Sequence, residues 1–508
     1  VSPPLLPLLS LPPSPFSMSA LLLLFVVGSI TYALWKYYSF TSKFPAGPKP
    51  LPFIGNLHQV DFASKQFSLF ANKFNGLYTL FTPIPTLEIT DFALIKEAFI
   101  DHGEDYVDRM MLPGLEEVFN YCKNGGVINS SGDNWREQRR VSLSILRDFG
   151  MGKNVMEELV RNSVTEYLRC LKSIENKENV NMRWPIQLMI ANIINEVLFG
   201  YRYKYDQCED LINYVEGFNK MIREIATNKL LPIAIAIPSI KYVPILGYYA
   251  IEIHAENVRR NNEYIVKNVK KALETYDADG EPTNFVHAYK QRMATNDYLD
   301  QDNLIATCAD FFAAGQETTT TTLRWASLFL AENQEAQDKL REEIHRVIGK
   351  ERLPALADKN KMIYTQATIH EIQRLANILR LNVFRKTHQP TQLAGQTIPE
   401  NMSIHADIHY VMWNDPHFEN PKEFRPERYI AEDGKSLRKE LVERTIPFSL
   451  GKRACAGEGL ARVELFLGLT ATIQNYRILP IPGQPIDLTQ QEQSIGIPIE
   501  QNLRLESV

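Results

Sequence analysis

One thiol in this 508-residue chain sits in a setting suited to chemistry. Cys455 lies in FSLGKRACAGEGLARVELF, Phe448 to Phe466, with Gly451, Lys452 and Arg453 before it and Gly457 and Gly459 after it. Glycines let backbone N–H groups approach a sulfur closely, and basic neighbours favour the thiolate, the form that binds metal. Leu460, Val463, Leu465, Phe466 and Leu469 then follow at helical spacing. The thiol therefore stands at a loop-to-helix junction, where the helix N-terminus further stabilises negative sulfur. A nucleotide loop does not fit, because Gly457-x-Gly459 is followed by Arg462 where a third glycine is needed and no strand precedes it. A structural thiol beside a helix cap is the plain alternative.

A second candidate for chemistry is an acid and a hydroxyl inside an apolar helix. From Asn303 to Leu330 the chain is apolar on nearly every face, which predicts a helix threaded through the core. Its middle breaks the pattern: Ala314, Gly315, Gln316 and Glu317 are followed by five threonines, Thr318 to Thr322. A buried acid is costly unless satisfied or used, and β-branched threonines are poor helix formers. A conflict of this kind marks a functional site. The Thr318 hydroxyl is expected to bond back to the Ala314 carbonyl and open a local bulge.

Phe448, Gly451, Arg453, Cys455 and Gly457 fit the pattern Phe-x-x-Gly-x-Arg-x-Cys-x-Gly, and this stretch resembles the haem-binding loop of the cytochromes P-450. The Ala-Gly-x-Glu-Thr-Thr run at 314–319 resembles that family's oxygen-binding motif. The resemblance implies that Cys455 ligates haem iron, that Thr318 and Glu317 deliver protons during oxygen activation, and that Gly315 and Ala314 leave room over the haem. It further implies cofactor contacts from Trp135 and Arg139, four apart in NWREQRR, from Arg109 and Arg385, and from Phe448 and Arg453 of the loop itself. Glu371, Arg374 and Arg428 resemble the family's locking triad, an arrangement suited to a planar guanidinium that bonds two partners. Two departures stand out: Tyr429 where an aromatic, often Phe, is usual, and Phe384 where relatives carry Pro.

The elements that must position these residues follow from the rest of the chain. Residues 1–17 are dense in proline and lack an initial Met, and read as an extension upstream of Met18. Residues 18–36 are apolar and just long enough to cross a bilayer, with Trp35, Tyr37 and Tyr38 at the interface and Lys36, Lys43 and Lys49 on one side. A cleaved signal peptide fits less well, for want of a basic leader and a small-x-small cleavage site. Residues 37–52 form a proline-rich connector, and 53–508 one haem-binding body. Leu230 to Ala250 is nearly all apolar but broken by Pro232, Pro238, Pro244 and Lys241, which predicts a lid dipping into the lipid surface. A net charge of −5 argues against a general nucleic-acid binder. Five cysteines without a CxxC pair suggest neither a zinc site nor a disulfide framework.

The resemblance covers residues 45–508 and is closest to animal microsomal family-two-like members. It implies a mainly α fold, a helical prism with small β-sheets, plus one N-terminal transmembrane helix. It implies haem b, iron protoporphyrin IX, as cofactor, with NADPH and flavins reaching it only through a reductase. The implied activity is monooxygenation of small apolar substrates, on electrons from that NADPH-dependent flavoprotein, with cytochrome b5 as a second candidate donor. The implied location is the endoplasmic reticulum membrane, with the catalytic body cytosolic. Arg136, Arg140 and Lys452 offer a basic face to an acidic reductase domain. The competing readings are a membrane haem protein that sequesters or senses apolar ligands, and a reductase-independent isomerase. The pocket walls are expected from the loop after Arg109, the lid, Ala313, and Ile378, Leu381 and Val383.

Overall fold

A helix apolar all round must be surrounded by protein, and the run through Phe311 is. The computed structural model describes residues 18–60, 67–82, 84–111, 120–149, 154–380, 382–491 and 495–508. The extension 1–17, Leu381 and residues 112–119 of the loop after Arg109 lie outside the described residues. The long helix spans Gln301–Glu332 and starts at Asp300, whose carboxylate accepts the Asn303 N–H at 2.7 Å. Helices Arg183–Phe199, Glu458–Asn475 and Ile363–Ala376 pack around it and share one apolar core.

The expected bulge is absent: the long helix is α-helical throughout. Thr318, Thr320 and Thr322 each donate to the carbonyl four residues back, at 2.7, 2.6 and 2.9 Å. A carbonyl oxygen has two lone pairs, so it accepts the hydroxyl while keeping its helical N–H partner.

The sheets are small, as expected. In the largest, Leu77–Phe81 pairs antiparallel with Pro85–Ile89, which runs parallel to Ser403–Ala406. That strand pairs antiparallel with Arg385–Lys386, bordered in turn by Asp108–Arg109. The register sets Arg109 directly opposite Arg385. Phe384, in place of the expected Pro, lays its ring on His405 with centroids 4.8 Å apart.

The N-terminal helix runs from Met18 to Thr41 rather than ending at Lys36, because nothing in YYSF breaks it before Pro45. The proline connector is bound to the body: Pro45, Pro48 and Pro50 are buried. The Asn56 amide donates to the Pro48 carbonyl at 3.2 Å and its oxygen accepts the Phe81 N–H at 2.8 Å. The segment 230–250 folds into short helical turns in which Ala234 and Ala250 are buried in a small apolar cluster of their own, while Tyr242 is 77 % and Ile245 72 % exposed. It lies at the surface rather than in the main core.

The locking triad is assembled with full burial. Arg374 donates to both Glu371 oxygens, at 2.8 and 3.0 Å, and Arg428 Nε to Glu371 Oε1 at 3.0 Å. Arg428 also donates to the Glu419, Asn420 and Glu423 carbonyls, and Arg374 to that of Met412. The triad thus ties helix Ile363–Ala376 to the chain leading to the cysteine loop. Tyr429, fully buried beside it, exchanges a 2.6 Å hydrogen bond with Thr445 that Phe could not make. Arg428→Ala leaves one Glu371 contact and three carbonyls bare; denaturant unfolding should show a loss of about 3–5 kcal/mol.

Candidate active site

The cysteine loop is shaped by two residues at positive φ, Ser449 at 60° and Gly451 at 72°. A Cβ on Gly451 would fall 1.7 Å from the Phe99 carbonyl oxygen, so only glycine fits there. The loop closes with the Cys455 N–H donating to the Phe448 carbonyl at 2.9 Å and Ala454 N–H to Gly451 at 2.9 Å. Helix Glu458–Asn475 starts directly afterwards, and the Gly457 and Glu458 N–H groups reach the sulfur. The sulfur opens onto a cavity between the loop and the long helix. Burial raises the thiol pKa; the two N–H groups and Arg139 oppose that rise.

Three arginines line the same cavity, Arg109, Arg139 and Arg453, and a fourth, Arg385, stands beside it opposite Arg109 in the strand pair. Arg453, stacked 3.7 Å from the Trp135 ring centre, donates to the carbonyls of Val107, Val127 and Ser130. Arg109 donates to Ile128 and Val383 carbonyls, both at 2.8 Å, and Arg139 to Ala454 at 2.6 Å. Arg385 lies 3.4 Å over the Phe99 ring, donates to Leu450 at 2.7 Å, and leaves its Nε and Nη1 without a partner. Trp135 Nε1 is likewise unpartnered. Burial, then mutual repulsion, pushes Arg453 down to about 7 and Arg109 to about 10, and holds Arg385 well below its usual range. None of the four makes an ion pair among the described residues. A cluster of buried cations with orphaned donors needs an anion, and a planar group carrying two carboxylates fits it. Haem fits these residues: a thiol beneath, guanidinium groups at the edge.

On the facing side Ala314, Gly315 and Thr318 line the cavity. A Cβ on Gly315 would come 2.7 Å from Ile194 Cδ1, so a larger residue there would push the Ile194 side chain aside. Glu317 is not among the cavity-lining residues. It is fully buried in the long helix, accepts from Thr321 at 3.1 Å, and faces Arg324, Arg183 and Asn219. Burial raises its pKa to about 7, with Arg324 holding it lower than burial alone would. The remaining walls include Val127, Ile128, Ile378 and Val383, as expected; Ala313 and the lid supply none of the described lining.

Two acids on the cavity wall escaped the sequence reading. Asp310 accepts the Val127 and Ile128 N–H groups at 2.7 and 2.9 Å, pinning the loop to the long helix. Burial raises it to about 6. Glu464 is buried on helix Glu458–Asn475, accepts from Thr319, and has Oε1 unpartnered. The signal that singled out Glu317, an acid inside an apolar helix, is present in TCADFF and RVELF as well.

A family model described as cytochrome P450 matches residues 45–504. The chain is 34 % identical over 477 residues to cytochrome P450 2C55 of Rattus norvegicus, covering 91 % of this chain and 94 % of that protein. It is 33 % identical over 475 residues to cytochrome P450 2H1 of Gallus gallus, with 91 % and 93 % covered. To cytochrome P450 2C1 of Oryctolagus cuniculus it is 34 % identical over 479 residues, with 91 % and 94 % covered.

Burial raises the Glu464 carboxyl to about 8. The folded chain then keeps a proton that the unfolded chain loses near pH 4.5, so this group lowers stability as pH rises from there to about 8. Glu464→Gln should leave melting unchanged at pH 4.5 and stabilise by about 1–4 kcal/mol at pH 8.5, read by calorimetry. Equal effects at both pH values would contradict the assignment.

Proposed function

This chain belongs to the cytochrome P450 family, and from that premise we propose what its individual residues do, which partner feeds it and where it sits. It is a haem-thiolate monooxygenase. Bound haem supplies the oxygen activation that places one atom of dioxygen in an apolar substrate, on electrons drawn from NADPH through a flavoprotein. The observation that carries the residue assignments is the cluster of arginines, none ion-paired among the described residues, around the cavity onto which one thiol opens.

Cys455 is the iron ligand. The Gly457 and Glu458 N–H groups and Arg139 stabilise negative sulfur, and Gly451 lets the loop close tightly enough to aim it. Arg109, Arg139, Arg385 and Trp135 take the carboxylates of the porphyrin edge, which supply the acceptors that Arg385 Nη1 and Trp135 Nε1 lack. Arg453 packs on Trp135 and fixes the surrounding backbone through three carbonyls. Phe448 closes the cavity floor beneath Arg462, 5.0 Å away. Thr318 presents its hydroxyl to the cavity. Glu317, with a pKa near neutrality, loads a proton from the far side of the helix; a turn of its side chain or one water hands it to Thr318. Val127, Ile128 and Ile378 make the walls apolar, which excludes water and suits an apolar substrate.

The donor is an NADPH-dependent flavoprotein reductase, with cytochrome b5 as a second donor. Arg136 and Lys452 belong to one surface patch because both reach Glu104. The patch is not a bare basic face: Asp133 also pairs with Arg136 at 2.9 Å, and Glu137 with Arg140 at 2.8 Å. An acidic partner exchanges these local pairs for its own.

The anchor is the N-terminal helix, whose residues Ser19–Thr41 have a mean hydropathy of 1.6 and no burial in the protein. The lid adds a second lipid-facing surface through Tyr242 and Ile245. The lysines after the anchor favour a body on the cytosolic side of its membrane, and we take that membrane to be the endoplasmic reticulum.

Three results test these assignments. Cys455→Ser should abolish the Soret band near ~450 nm of the reduced, carbon-monoxide-treated protein, and an unchanged spectrum would sink the ligand assignment. Thr318→Ala should keep consuming NADPH while product falls about tenfold or more and peroxide rises; normal coupling would remove Thr318 from proton delivery. Reversing charge at Arg136 and Lys452 together should weaken reductase-supported turnover and flatten its salt dependence, and an unchanged salt profile would refute the docking patch.

A further inference from the structure

Behind the long helix, on the side away from the cavity, four phenols converge from three separate segments. Tyr214 lies on helix Glu209–Thr227, Tyr264 on helix Ile253–Leu273, and Tyr201 and Tyr203 in the turn after helix Arg183–Phe199. Phe312 of the long helix, next in sequence to the cavity-lining Phe311, meets Tyr214 and Tyr264 with ring centroids 5.1 and 5.3 Å apart. Tyr214 and Tyr264 lie 4.6 Å from each other. The hydroxyls continue the path outward: Tyr264 to Tyr203 at 3.1 Å, Tyr203 to Tyr201 at 2.9 Å, and Tyr201 donating to Asn268 Oδ1. Because Asn268 Oδ1 can only accept, the chain has one direction, with Tyr264 donating to Tyr203 and Tyr203 to Tyr201. Tyr214 is buried, whereas Tyr201 and Tyr203 are half-buried.

Packing alone does not call for this arrangement. Phenylalanine would fill the same apolar space without the cost of desolvating three hydroxyls. We propose that Phe312, Tyr214, Tyr264, Tyr203 and Tyr201 form an escape path for oxidising equivalents, carrying an electron inward to the haem and a proton outward to solvent when turnover fails to reach substrate. The proposal rests on the haem reading above.

The step balances as follows from the contacts. One electron passes from the Tyr264 ring to the electron-deficient haem across Tyr214 and Phe312. The Tyr264 O–H bond breaks and its proton goes to the Tyr203 oxygen. Tyr203 passes its own proton to Tyr201, and Tyr201, half-buried, turns its hydroxyl away from Asn268 Oδ1 to release one to water. A neutral phenoxyl radical remains on Tyr264, and a soluble thiol or ascorbate-type reductant returns one electron and one proton through half-exposed Tyr203. Lys271 Nζ sits 3.8 Å from the Tyr201 ring centre. A cation there makes electron removal from Tyr201 harder, so the radical halts at Tyr264 and Tyr203 while the proton continues.

The test uses the haem-loaded full chain without substrate, mixed with hydrogen peroxide and freeze-quenched for paramagnetic resonance. The wild type should give a neutral tyrosyl signal. Tyr264→Phe should lose it and bleach its haem faster per peroxide consumed. Tyr203→Phe keeps the electron donor but breaks the proton relay, so its signal should form more slowly and without the solvent deuterium effect of the wild type. A merely structural role moves melting temperature and leaves these readouts alone. A wild type without a tyrosyl signal, or a signal and bleaching rate unchanged in both variants, would overturn the proposal; if Tyr264→Phe does not fold, Tyr203→Phe decides alone. Loss of the reduced carbon-monoxide band near ~450 nm in the wild type would instead count against the haem reading.

Discussion

Four guanidinium groups, three of them buried and Arg139 half-buried, gather at and beside one cavity and repel one another, and none makes an ion pair among the described residues. Arg109 and Arg385 are placed side by side by the strand register, Arg139 by a helix that also carries Trp135, and Arg453 by the cysteine loop. Removing cations from water is expensive, and the backbone carbonyls that receive them recover only part of that cost. The arrangement makes physical sense once a dianionic, planar ligand completes it. The fold thus concentrates positive charge at the cavity, and burial with mutual repulsion depresses Arg453 and Arg385.

Rigidity elsewhere serves this cavity. The buried Glu371–Arg374–Arg428 triad satisfies its own charges and grips several backbone carbonyls, which holds the chain leading into the cysteine loop. Gly451, pressed against the Phe99 carbonyl, locks the loop to the segment that also supplies the ring beneath Arg385. Asp310 performs the corresponding task on the opposite wall. The geometry of the cysteine loop is thus fixed from several independent directions.

The long helix divides the labour between its faces. Thr318 meets the cavity, Glu317 meets Arg324 and Arg183, and Phe312 meets the tyrosines. Successive side chains about 100° apart make this possible, since one helix can contact a cavity, a pair of guanidinium groups and an aromatic cluster at once. Back-bonding by the threonines keeps the helix regular across that region, where a bulge had been expected.

The amino-acid sequence determined the thiol, the loop shape around it, the acid–hydroxyl pair and the apolar anchor, because each rests on local spacing or on a backbone conformation that glycine alone tolerates. The triad partners were legible only through resemblance, since Glu371 and Arg428 are joined by folding and by nothing in their separation. Tertiary structure alone decided that Glu317 turns away from the cavity, that Gly315 answers to Ile194, and that Asp310 and Glu464 stand on its wall. It also decided that the supposed basic face carries its own acids. These are questions of which side chains from distant segments come within a few ångströms, and periodicity fixes a residue's face without saying what that face will meet.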